Sequence, residues 1–201
     1  MFNELNKINL PNNVYINPEI INKKNFHGTI TKGIVSNMYY ANQIFIYKYF
    51  VVLSGRTIFY RSITLQNLNI LNKKWENLEQ REIKIKGQFN NNDWQWPKFR
   101  NTLLANHYLQ NNCLLYGSEH EGLCFSNNVV NNILFFFDNN IEIKNDLFMF
   151  NHCVDEFALQ TISFNEVDNN NLEYGFINIG HGVYEEYAHM DNKFTRKILY
   201  K

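Results

Sequence analysis

Hydrophobic and polar positions follow two different periods in the first half of the chain. Residues 49–53 (YFVVL) form a continuous apolar run, which is typical of a strand buried on both faces of a parallel sheet. Apolar residues then recur at helical spacing over residues 65–78, with Thr64 placed as an N-cap. A strand followed by a loop and a helix is the unit from which α/β folds are built.

The same order of elements is repeated further along the chain. Residues 81–87 (REIKIKG) alternate and predict a strand with one solvated face. Residues 98–110 suit a helix whose inward positions are Phe99, Leu103, Leu104 and Tyr108. The next predicted elements are a short strand over 113–116, a turn at Gly117-Ser118, a helix over 129–136 capped by Ser126, and a polar loop over 165–171. We therefore predict an α/β sandwich around a mostly parallel sheet.

Length and composition favour one globular domain over residues 1–201. Hydrophobic residues make up 45% and aromatic residues 16%, which excludes a disordered chain and allows a substantial core. Nineteen basic and 19 acidic residues give no net charge, so we expect no nucleic-acid partner. Three cysteines without paired spacing argue against a disulfide framework or a zinc site. No signal-peptide pattern or transmembrane run is present, which favours a soluble, cytoplasmic protein.

Asp155-Glu156 is the place where the sequence looks most suited to chemistry. Phe157 and Ala158 follow the pair and would draw the carboxylates towards a packed interior, where desolvation makes a carboxyl group a usable general base. In the alternative interpretation Asp155 caps a helix and Glu156 lies in its first turn. The residues alone leave both interpretations open.

Other polar clusters are weaker candidates. Residues 54–56 (SGR) follow the first predicted strand, where ligands of open α/β sheets bind, although a tight turn with a solvated arginine explains them equally well. Glu119-His120-Glu121 fits no metal-ligand spacing and suits a polar loop or an acceptor groove. His152-Cys153 are adjacent and would point to opposite faces of a strand. Trp94 and Trp96 can stack on a sugar, or belong to the core.

Four segments of the chain, in the same order, resemble the core-2/I-branching β-1,6-N-acetylglucosaminyltransferases. They are residues 49–55 (YFVVLSG), 116–118 (YGS) with 126–134 (SNNVVNNIL), 154–162 (VDEFALQTI) and 189–194 (HMDNKF). These are similar to the family's LSG segment, its "GS…LTREAVEYIL" stretch, its PDE-x-x-x-x-T motif and its closing LFARKF or LFANKF. The resemblance extends from about Phe50 to Arg196.

The resemblance implies a single-domain, Rossmann-like (GT-A-like) fold and an inverting, metal-independent transfer. A sugar, N-acetylglucosamine in the family, would pass from a UDP-sugar to a hydroxyl of a glycan or glycoconjugate, with no further cofactor. Glu156 would be the general base and Asp155 its positioning neighbour. Lys193, on the family's basic position, would stabilise the departing diphosphate. Donor-binding candidates are Ser54, Gly55, Arg56, Lys193 and Arg196, and acceptor-binding candidates are Gly117, Ser118, Glu119, Trp94 and Trp96.

The chain also departs from the family pattern. Only some dozen residues precede Val14, where the family has a whole strand-helix unit, and Arg56 stands where an acid is common. No second basic residue lies between Leu172 and His189. The alternative is therefore a catalytically degenerate glycan- or nucleotide-binding relative, and a third possibility is an interaction domain that keeps only the fold. The donor sugar, the acceptor, the linkage and the oligomeric state stay open.

Overall fold

The computed structural model describes residues 12–53, 57–59, 62–66, 84–85, 96–117, 120, 122–166, 176–178, 180–181 and 195–197. For residues 57–59, 84–85, 96–97, 176–178, 180–181 and 195–197 it describes the backbone alone. The helices are α1 (Thr29–Ile44), α2 (Trp96–Phe99), α3 (Leu103–Gln110), α4 (Asn127–Asn139), α5 (Ile141–Met149) and α6 (Ala158–Asn165). The strands are β1 (Tyr49–Val51), β2 (Thr57–Phe59), β3 (Lys84–Ile85), β4 (Tyr116–Gly117), β5 (Leu123–Ser126), β6 (Phe176–Asn178), β7 (Gly180–His181) and β8 (Thr195–Lys197).

The described strands pair mainly in the antiparallel sense. One sheet has the order β1-β5-β6, a second β2-β8-β7 and a third β3-β4. Of these pairings, only β7 with β8 is parallel. The predicted mixture of helices and strands is confirmed. The predicted mostly parallel sheet is not shown by the part of the chain that the structure describes.

The first apolar run differs from its prediction. Strand β1 covers Tyr49–Val51, is half-buried, and pairs antiparallel with β5, so that Phe50 faces Phe125. Val52 is buried, whereas Leu53 is 44% exposed. The prediction of a strand buried on both faces of a parallel sheet was wrong for this segment. A short apolar run indicates burial but not the direction of the partner strand, and here the partner strand β5 is fully buried.

The predicted helix over 98–110 is divided into α2 and α3 at Thr102. The Thr102 hydroxyl donates to the Phe99 carbonyl (2.7 Å) and accepts from the Ala105 N–H (3.1 Å), so it ends one helix and caps the next. Phe99, Leu104 and Tyr108 are buried as predicted. Leu103 is 44% exposed, and its predicted inward position was wrong because it begins α3 beside the cap.

Helix α4 begins as the sequence predicts. The Ser126 side chain accepts from the Val129 N–H at 3.4 Å. Its buried face follows the helical period and consists of Val129, Val130, Ile133, Leu134, Phe136 and Phe137. Strand β4 includes Gly117, so the predicted turn at Gly117-Ser118 was wrong for its first residue, and Ser118 lies outside the described residues.

Three further predictions are only partly covered by the described residues. Residues 65 and 66 are helical directly after Thr64, and the remainder of the predicted helix to residue 78 lies outside the described residues. Of the strand predicted over 81–87, the described part is β3. Helix α6 ends at Asn165, and residues 167–171 lie outside the described residues. Within the described ranges no helix is both long and apolar enough to cross a membrane.

The core packs helices against the sheet and fixes the segment that precedes α6. Phe99 of α2 stacks on Phe157 with ring centroids 5.1 Å apart, and both side chains are fully buried. The backbone N–H of Gly28, next to the start of α1, donates to the carbonyl of Phe150, which directly follows α5. Losing a buried phenylalanine side chain typically costs about 3–5 kcal/mol. Phe157 therefore anchors the turn that carries Asp155 and Glu156.

Candidate active site

The acidic pair lies in a tight turn between α5 and α6. The Val154 carbonyl accepts from the Phe157 N–H (3.1 Å) and the Ala158 N–H (2.8 Å), which closes the turn. Helix α6 has Phe157 at its N-cap position, with no side-chain cap and no acidic residue in its first turn. The interpretation of Asp155 as a helix cap and of Glu156 as a first-turn residue was therefore wrong. The pair is held by the turn and by the burial of Phe157.

Asp155 is a buried carboxylate that lies beside the imidazole ring of His120. It is 2% exposed, and its Oδ2 atom lies 2.7 Å from Nδ1 of His120. Its other oxygen, Oδ1, is buried and has no hydrogen-bond partner among the described residues. A buried carboxylate is costly unless it is paired, and the His120 ring lies at ion-pair distance from Asp155.

Glu156 occupies a different environment although it is the next residue. It is half-buried, and its carbonyl oxygen would lie 3.0 Å from a Cβ atom added to Gly117. The same Cβ atom would lie 2.6 Å from the Phe157 ring. Glycine at position 117 thus allows strand β4 to approach the backbone of the acidic turn closely.

A second contact joins β4 to the segment that carries the acidic pair. The Tyr116 N–H donates to Thr161 Oγ1 (3.0 Å), and the Thr161 hydroxyl donates to the Tyr116 carbonyl (3.0 Å). Thr161 is fully buried on α6. The structure therefore brings two of the four segments that carry the family resemblance, 116–118 and 154–162, together at Tyr116 and Gly117.

Most of the other predicted site residues cannot be placed with their side chains. Ser54, Gly55, Arg56, Trp94, Ser118, Glu119 and Lys193 lie outside the described residues, and for Trp96 and Arg196 only the backbone is described. Strand β8 pairs antiparallel with β2, so that Arg196 faces Ile58. Strand β2, which begins at Thr57, therefore lies beside the strand that contains Arg196.

Cysteine chemistry has little support at this turn. Burial, together with the charges of Asp155 and Glu156, raises the pKa of the Cys153 thiol to about 12. Burial alone raises the pKa of Cys124 to about 12. The neighbouring His152 has a lowered pKa, caused by desolvation and by the charge of Lys98. Because the thiolate is the nucleophile, Cys153 is inert near neutral pH.

His120 is the site residue that sequence reasoning did not select. The segment Glu119-His120-Glu121 was interpreted as a polar loop or an acceptor groove, and its partner Asp155 is distant in the chain. The signal that was present is the position of His120 shortly after Gly117 and Ser118, two predicted acceptor-binding residues. In the described part of the chain, no group of three or more His, Cys, Asp or Glu side chains is arranged to hold a metal ion.

Comparisons of the chain with protein-family models, with curated proteins and with solved structures give no match.

Proposed function

We propose that the protein transfers a sugar, N-acetylglucosamine by family resemblance, from a UDP-sugar to an acceptor hydroxyl with inversion and without a metal. Glu156 is the general base in this proposal. The fold proposed with this activity is Rossmann-like (GT-A-like). The proposal rests on the four resembling segments and on the environment of the acidic turn.

The supporting observation is the difference in burial between the two adjacent carboxylates. Asp155 is almost completely buried and paired with His120, so it cannot contact an acceptor without a rearrangement of the turn. Glu156 is half-buried and lies on a backbone held by Gly117 and Phe157. A general base has to reach its substrate while its position stays fixed by packed neighbours. Of the two carboxylates, Glu156 meets both conditions.

In the proposed reaction the acceptor hydroxyl gives its proton to the Glu156 carboxylate. The hydroxyl oxygen forms a bond to the anomeric carbon from the side opposite the diphosphate, and the bond to the diphosphate oxygen breaks with its electron pair leaving on UDP. A positioned general base typically contributes about 10²- to 10⁴-fold to the rate. Arg56, Lys193 and Arg196 are the proposed cations for the departing diphosphate.

Donor binding is tested by thermal unfolding in the presence of nucleotides. We expect UDP and UDP-N-acetylglucosamine, at about 100 times their Kd, to stabilise the native protein by about 2.7 kcal/mol. For a chain of this length the melting temperature should rise by roughly 5–10 °C. ADP at the same concentration is the control and should give a much smaller shift. Equal melting temperatures with UDP, UDP-N-acetylglucosamine, UDP-glucose and buffer would contradict the proposal.

A further inference from the structure

His120 contacts the turn that carries Glu156 through the buried carboxylate of Asp155. Its Nδ1 atom lies 2.7 Å from Oδ2 of Asp155, and Asp155 precedes Glu156 directly. We propose that His120 is a positioning residue of this site: through Asp155 it holds the acidic turn, and its positive charge allows two adjacent carboxylates to be ionised together. The inference rests on the proposed function for the role of Glu156 as the base.

The electrostatic reason is the crowding of negative charge at the turn. Two neighbouring carboxylates disfavour each other's ionised form, and the effect is larger where one of them is desolvated. Asp155 is buried, and its Oδ1 atom has no hydrogen-bond partner within the described residues. When it is protonated, His120 supplies opposite charge at ion-pair distance from Asp155. We infer that this charge keeps Glu156 ionised, and therefore basic, at mildly acid pH.

Other charged groups near the turn do not produce the same pH response. Among the described residues, the titratable or charged side chains on the elements that precede or pack against it are Lys98, Arg100, Tyr116, His152 and Cys153. Lysine and arginine remain cationic between pH 5 and about 8. Burial raises the pKa of Tyr116, and it raises the pKa of Cys153 to about 12. Both side chains therefore stay neutral in this pH range. His152, with its lowered pKa, is the remaining group and serves as the control position.

The test is a pH titration of the side-chain carboxyl carbons by NMR, with native protein and with His120→Gln. Glutamine keeps a polar side chain but removes the charge. We expect the Asp155–Glu156 pair to bind its first proton about one pH unit higher in His120→Gln. Asp155→Asn should move the Glu156 titration the opposite way, because it removes the neighbouring negative charge. His152→Gln should leave the titration of the pair unchanged.

Activity provides the second readout. The acid limb of kcat should move to higher pH in His120→Gln, by the same amount as the carboxyl titration, with little change in KM for the donor. His120→Phe, which removes both the charge and the polar contact with Asp155, should lower kcat roughly tenfold at the pH optimum of the native protein. A merely structural histidine would change unfolding but not displace the pH profile of the glutamine variant.

The carboxyl titration and the activity measurement together distinguish failure of this inference from failure of the proposed function. The carboxyl titration needs no substrate, so it decides the effect of His120 even if the native protein releases no UDP. Identical carboxyl titrations in native protein and His120→Gln overturn the inference. Shifts in the same direction for His120→Gln and Asp155→Asn overturn it as well.

Discussion

Asp155 and Glu156 are neighbours in the chain, but their side chains lie in different environments. Asp155 is buried beside His120, whereas Glu156 keeps partial access to solvent on the same turn. Environments that separate two carboxylates in this way are how proteins assign different roles to chemically similar groups. The sequence pointed to this pair, but it could not predict which carboxylate is buried, because His120 is brought to Asp155 by tertiary packing alone.

Gly117 offers a direct test of how closely β4 has to approach the acidic turn. We expect Gly117→Ala to destabilise the protein by about 1–3 kcal/mol, since the new Cβ atom would lie 2.6 Å from the Phe157 ring and 3.0 Å from the Glu156 carbonyl. Urea unfolding measures the change in free energy.

Gly33→Ala is the matched control for that substitution. Its Cβ atom would meet only the flexible end of Lys23, at 2.5 Å from Cε, and alanine raises the helix propensity inside α1 by about 1 kcal/mol. We expect this variant to be neutral or more stable than the native protein. Equal destabilisation of both variants would contradict the tight packing of Gly117.

At the scale of elements, caps and helical periods were predictable and strand pairing was not. The Ser126 cap and the buried face of α4 follow from local residue types. The division at Thr102 was missed, because a threonine inside an apolar helical pattern looks like an ordinary helix residue until its hydroxyl bonds are known. The direction of β1 was missed because a short apolar run does not specify its partner.

Thr161 is the residue that ties α6 to β4, and its hydroxyl can be tested alone. Thr161→Val keeps the shape but removes the bonds to the Tyr116 N–H and carbonyl. We expect a loss of about 1–3 kcal/mol in unfolding free energy, because buried backbone groups lose a partner. Thr161→Ser keeps the hydroxyl and should lose less. A valine variant as stable as the native protein would show that this contact does not hold the two elements together.

At the scale of the whole molecule, the structure supports an α/β protein whose described sheets are mainly antiparallel. The acidic turn, His120 and β4 form one packed cluster, and this is the acceptor side of the proposed reaction. Of the proposed donor residues, Arg196 lies on β8, which pairs with β2. Composition and periodicity predicted the mixture of helices and strands, whereas the sheet arrangement depends on long-range pairings that a local pattern does not specify.

The most direct test of the central claim is the rate of UDP release by native protein, Glu156→Gln and Glu142→Gln, with UDP-N-acetylglucosamine and a panel of glycan acceptors. Glu142 is an exposed glutamate on α5 and provides the control. We predict release by the native protein and by Glu142→Gln, and a loss of at least about 10²-fold in Glu156→Gln with donor binding retained. No release by the native protein, or an unchanged rate in Glu156→Gln, would contradict the account. Binding of UDP without any release would instead support the degenerate binding relative.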